Sequence, residues 1–186
     1  MTWDAFHRRG EVLRDVVDTA NARRDGVLPR ELPGVAETFG DDVALIAALQ
    51  LRWHTRLAGR IERALSEHPM DLESAVLTAW RGAASELVGV RQILDAYGAD
   101  PSTPEMGRAL ETARHKDWVL MAAMAGRASV TDDRAVAVGR AIEEQARAAY
   151  DPTATPRHRR DEDVVEPGRQ TPLGTIVDRI KARLAA

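Results

Sequence analysis

Residues 41–72 read DDVALIAALQLRWHTRLAGRIERALSEHPMDL, and their spacing decides the fold class. Ile46, Leu49, Trp53, Leu57, Ile61 and Leu65 recur every three or four positions, which gathers them on one side of an α-helix but would scatter them over both faces of a strand. Asp41 stands where an N-cap side chain accepts from free backbone N–H groups, and His68-Pro69 ends the run because proline disfavours helical backbone at the residue before it. The stretch therefore predicts a helix from Asp41 to Glu67. Asp71 caps the next helix, expected to continue to Tyr97 with Leu72, Val76, Trp80, Leu87 and Leu94 on one broad face and Gly98 as its terminator. Pro69 and Met70 alone separate the two, a connection so short that antiparallel neighbours are expected.

The helical period extends in both directions. Trp3 to Arg24 carries Trp3, Phe6, Leu13, Val17 and Ala20 at helical spacing, with Thr2 as a candidate cap and Asp25-Gly26 as the stop. Val27 to Gly34 contains Pro29 and Pro33 and reads as a loop, followed by one short turn through Phe39. Downstream, Ser102-Thr103-Pro104-Glu105 has the hydroxyl caps, first-turn proline and spacing of a helix start. The helix it opens runs to about Gly126, with an alanine-rich stripe of Met106, Leu110, Ala113, Met121 and Met124. A last body helix, capped by Thr131 or Asp132, is expected to reach Tyr150 with Ala135, Val138, Ile142 and Ala149 on its apolar side.

After Tyr150 the composition changes. Asp151 to Pro172 holds four prolines around the mixed-charge run Arg157-His158-Arg159-Arg160-Asp161-Glu162-Asp163, with little to bury, and reads as a disordered linker. From Gly174 to Leu184 an apolar stripe returns at Ile176, Val177, Ile180 and Leu184. The expected fold is all-α: one antiparallel bundle of about five long helices over residues 1–150, a charged linker over 151–172, and a short amphipathic helix over 173–186.

Composition narrows the chemistry. The chain has 186 residues, 30% of them charged, and a formal net charge of −3, so it lacks the global positive field that would draw it to nucleic acid or an anionic membrane. No apolar run approaches the ~20 residues of a membrane span, and the mixed N-terminus has no export-signal pattern, which together lead to an expectation of a cytoplasmic protein. Cysteine is absent, which rules out disulfides, thiolate metal sites and a thiol nucleophile.

Helical bundles can house metals through inward Glu-x-x-His pairs, but no such pair occurs. Asp4/His7, His7/Glu11 and Glu111/His115 are the nearest spacings, the last two ordinary one-turn neighbours on a helix surface; they do not make a ligand set, and neither metal nor cofactor is implied. Phosphate loops, dinucleotide fingerprints and the Gly-x-Ser-x-Gly elbow are also missing, so no catalytic residue is assigned. The clusters Arg8-Arg9, Arg23-Arg24 and Arg157 to Arg160 each have acids close by and read as solvated charge. His54, beside Trp53 at the edge of a core stripe, would serve as a base if a carboxylate faced it; the plainer reading is a partly buried, hydrogen-bonded imidazole. Trp3, Trp53, Trp80 and Trp118 fall on four different helices and read first as large core residues, second as walls of an aromatic pocket. Gly82 and Gly89, one heptad apart inside a helix, are most economically explained by a close helix crossing.

Two functions are expected from these readings, with nucleic-acid association through the arginine clusters a weaker third. The first is a non-catalytic bundle acting through protein contacts, as adaptor or self-associating scaffold, with Ile176, Val177, Ile180 and Leu184 as its docking stripe. The alternative is a small-molecule-binding or enzymatic bundle with a pocket near Trp53, His54, Trp80 and Trp118.

Overall fold

The computed structural model describes residues 3–152, and every regular element among them is an α-helix. In chain order these are α1 Trp3–Arg23, α2 Val35–Phe39, α3 Asp42–Glu67, α4 Leu72–Glu86, α5 Val88–Ala99, α6 Pro104–Met124 and α7 Ala135–Ala148. The linker beyond Pro152 and the stripe at Ile176, Val177, Ile180 and Leu184 lie outside the described residues, as does the Thr2 cap.

The caps act through the atoms their chemistry supplies. Asp41 Oδ1 accepts from the Ala44 N–H at 2.8 Å, Asp71 Oδ1 from Ser74 at 3.1 Å and Thr103 Oγ1 from Met106 at 3.2 Å. At the far end of α6, Gly126 takes φ 68°, a left-handed turn that closes the helix without the steric cost a Cβ would bring. The start of the last helix differs from the sequence expectation. Asp132 spends its carboxylate on the backbone and guanidinium of Arg134, and α7 begins at Ala135.

The expected helix from Asp71 to Tyr97 is corrected to two. Leu87, at φ −118° and ψ 42°, leaves helical geometry and divides α4 from α5. The break is accommodated by a contact across the interface with α1. The Asn21 side chain donates to the Glu86 carbonyl at 3.2 Å and accepts from the Gly89 N–H at 3.0 Å, supplying partners to backbone groups freed by the break. Gly89 sits so close to the Ala20 carbonyl that a Cβ there would collide with it, so α1 and α5 cross nearly backbone to backbone. Gly139 plays the same part against the Trp118 carbonyl where α7 crosses α6, whereas Gly82 meets only the Arg60 side chain.

One hydrophobic core joins these helices. Val16, Leu49, Trp53, Leu57, Ile61, Val76, Trp80, Leu94 and Met121 are all at most 1% exposed. Trp53 and Trp80 pack edge to face with ring centroids 5.8 Å apart, and Tyr150 stacks edge-on against Trp80 at the same separation. α6 packs most heavily on α7, α3 on α4 and α1 on α5, while α6 also lies along α3, the contact that forms the site below.

Candidate functional site

Asp117 occupies the apolar stripe of α6, between Leu110 and Met121, and is 5% exposed. A carboxylate buried there needs hydrogen-bond donors to replace its lost water. α3 supplies three from consecutive turns. Gln50 Nε2 donates to Asp117 Oδ2 at 2.9 Å, the Trp53 indole N–H donates to the same oxygen at 3.1 Å, and His54 Nδ1 lies 2.6 Å from Oδ1. The spacing of 50, 53 and 54 turns all three toward one point, and α6 brings the acceptor.

This cluster forms the polar end of a pocket of about 330 Å³ between α3 and α6. Val43, Ile46 and Ala47 on α3 and Met106, Ala109 and Leu110 on α6 line its apolar part. Gln50 and His54, and on α6 Lys116 and Asp117, stand one to two turns further along the two helices. The His54 side chain is 40% exposed and so reachable from the pocket and from solvent. Its hydrogen bond to Asp117 raises its pKa above the ordinary imidazole value; partial burial and Lys116 oppose the shift, and the Asp117 charge reinforces it. At near-neutral pH the polar end therefore combines a buried carboxylate with an imidazole that holds its proton more tightly than usual and the exposed Lys116 ammonium. Ser, Thr, Tyr and Cys are absent from the pocket lining, so the imidazole has no hydroxyl or thiol neighbour to activate there.

The structure places the four residues named for a ligand pocket in different surroundings. His54 lines the pocket; Trp53 lies behind it, joined through Asp117; Trp80 is 1% exposed in the core beyond Trp53. Trp118 faces the other flank of α6, where its indole N–H bonds to Glu143 Oε2 and its ring lies 5.4 Å from that of His115. No protein-family model, curated protein or solved structure matches the chain. The site must therefore be read from its own geometry.

Around Trp118 lies a second polar constellation. Asp95 of α5 receives both terminal nitrogens of Arg147 at 2.9 and 2.8 Å and that of Arg91 at 2.8 Å, while Glu143 accepts from Arg147 Nε at 2.9 Å. Arg91 and Arg147 also lie over the faces of Trp53 and Trp80, at 4.7 and 5.0 Å. Burial alone would raise the Asp95 carboxyl pKa, but the hydrogen bond from Arg147 and the two guanidinium charges outweigh it and hold the group below the usual carboxylate range. Every charge in this constellation is matched, as in a structural clamp between α5 and α7. Among the described residues no three of His, Asp and Glu converge as a metal would require, and Glu111 and His115 remain a surface pair at 3.9 Å.

The sequence reading missed Asp117, Gln50 and Lys116. Asp117 did carry a signal: in the stripe of Met106, Leu110, Ala113, Met121 and Met124, its register is the one apolar step left unfilled. A carboxylate at a core register requires partners, and His54 and Gln50 stand one turn apart at the edge of the neighbouring stripe.

Proposed function

We propose that this protein binds a small apolar carboxylate in the α3/α6 pocket, with the chain tail along Val43, Ile46, Met106 and Leu110 and the carboxylate between His54 and Lys116. The observation that carries this reading is the buried Asp117, held by three side chains of α3 at the end of an otherwise apolar cavity. A few convergent polar groups in a mostly apolar concavity are the usual composition of a small-ligand site, and about 330 Å³ lies at the small end of such sites. The sign of the charge favours an anion. Asp117 is already matched by His54, Gln50 and Trp53, and Lys116 adds a positive charge with no ion-pair partner among the described residues. The reading is of binding rather than group transfer, because the lining offers the imidazole no hydroxyl or thiol to activate. The frame of this reading is a single antiparallel bundle, supported by the short α3–α4 connection and the shared core.

Calorimetric titration tests it with decanoate as the probe and decanol as the neutral control. Saturable decanoate binding is expected, weakened about tenfold by His54→Gln and abolished by Ala113→Trp, which fills the cavity. Equal binding of decanoate and decanol would remove the charge argument, and unchanged binding in Ala113→Trp would remove the pocket. A second reading rests on the stripe at Ile176, Val177, Ile180 and Leu184, whose return after a proline-rich stretch favours a protein-docking helix or self-association. Capture of a partner by the full chain but not by one ending at residue 172 is its expected result.

A further inference from the structure

α3 carries four arginines on the flank turned toward α4. Arg52, Arg56, Arg60 and Arg63 follow one another at steps of four, four and three, so their guanidinium groups form a row roughly 16 Å long at 1.5 Å rise per residue. The row borders a groove of about 620 Å³ between α3 and α4, distinct from the α3/α6 pocket. Its uncharged lining is small or hydroxylic, with Thr55, Gly59, Ala64, Thr78 and Ala79, and an added Cβ at Gly59 would meet nothing within 4 Å.

Like charges one turn apart on a helix repel, so a fold that stacks four of them needs counter-charge. Glu86 supplies part of it: its Oε1 lies 3.0 Å from Arg56, and its Oε2 accepts from Nε and a terminal nitrogen of Arg60 at 3.1 and 2.9 Å. Arg52 and Arg63, at the two ends of the row, form no ion pair or side-chain hydrogen bond with any described residue. With Glu67 as the other acid in the lining, the groove keeps two positive charges in excess while the whole chain is net negative. No aromatic residue lines it, so a nucleobase has no ring to stack on and recognition falls to charge alone.

We propose that the α3/α4 groove is a binding site for a linear oligophosphate, held at its ends by Arg52 and Arg63 and in its middle by Arg56 and Arg60 as they turn from Glu86. Guanidinium forks match phosphate oxygens in pairs, and a row of them selects a chain of phosphates over a single one. The chain can come from inorganic polyphosphate or from a nucleoside triphosphate, and the two sources are separated by comparing tripolyphosphate with ATP and AMP.

Calorimetric titration of the full chain with tripolyphosphate at low ionic strength is the test. Saturable binding that weakens as salt is raised is expected, with ATP binding about as tightly and AMP about tenfold or more weaker. Arg52→Gln with Arg63→Gln should weaken tripolyphosphate about tenfold or more, whereas Glu86→Gln should strengthen it several-fold by freeing two guanidinium groups. Arg8→Gln with Arg108→Gln, exposed and remote in sequence, should leave it within about twofold. Absence of saturable tripolyphosphate binding would overturn the proposal, as would equal losses from the Arg52/Arg63 and Arg8/Arg108 pairs. ATP binding more than about tenfold tighter than tripolyphosphate would overturn recognition by phosphates alone and assign the groove to nucleotides.

Discussion

Asp117 is the residue on which the site turns, because a carboxylate in an apolar stripe is tolerated only while its donors stay in place. Replacing it with asparagine keeps the shape but sets an amide N–H₂ against donors, and the loss of charge-assisted hydrogen bonds is expected to cost about 2–3 kcal/mol of stability. Chemical denaturation measures this, and a loss below about 0.5 kcal/mol would show that the cluster is not holding α3 to α6. The same bond governs the pH response. His54 has its pKa raised in the folded state by its hydrogen bond to Asp117, so the stability it contributes is fully present below the ordinary imidazole value and is lost as pH rises through the higher folded value. Asp117 and Lys116 are the charged groups facing it, and they act in opposite directions. An NMR titration of the imidazole should place the wild-type midpoint above that of Asp117→Asn; coincident midpoints would contradict the assignment.

At the level of elements, the breaks in regularity come from contacts between helices, which is why the sequence did not disclose them. The apolar period runs unbroken from Leu72 to Leu94, and nothing local requires a stop at Leu87; Asn21, distant in sequence, makes the break affordable by pairing with Glu86 and Gly89. Asn21→Ala is accordingly expected to cost about 1–2 kcal/mol. Gly89→Ala tests the close crossing. Alanine is the better helix former by about 1 kcal/mol, yet the collision with the Ala20 carbonyl should make the variant less stable than wild type by about 2 kcal/mol or more. Gly10→Ala, where an added Cβ meets nothing within 4 Å, should instead gain up to about 1 kcal/mol. Thermal melts of the two variants should shift in opposite directions, and a stabilised Gly89→Ala would mean that α1 and α5 do not approach as closely as described.

For the molecule as a whole, the helical class was legible because apolar spacing is a local property, and so were the cap positions at Asp41, Asp71 and Thr103, which depend on one side chain and its own following turn. The site was less legible, since it depends on which helix faces which. His54 could be singled out by its place beside Trp53, but its partner stands 63 residues away and only the packing of α6 on α3 brings it within 2.6 Å. The tryptophans were read first as core residues, which Trp53 and Trp80 are, and second as walls of a shared pocket, from which Trp118 turns away toward Glu143. The arginine row of α3 was present in the sequence as steps of four, four and three, and gained meaning only when α4 supplied the opposite wall with a single carboxylate, Glu86, paired to two of its members.

The central claim is that the α3/α6 pocket takes an apolar carboxylate, and a methyl- and histidine-resolved NMR titration with decanoate tests it most directly. The account predicts saturable shifts at the methyl groups of Val43, Ile46, Met106 and Leu110 together with the His54 ring, and none at Leu57 or Val76 in the core. Shifts confined to other surfaces, or a spectrum unchanged at saturating decanoate, would contradict it.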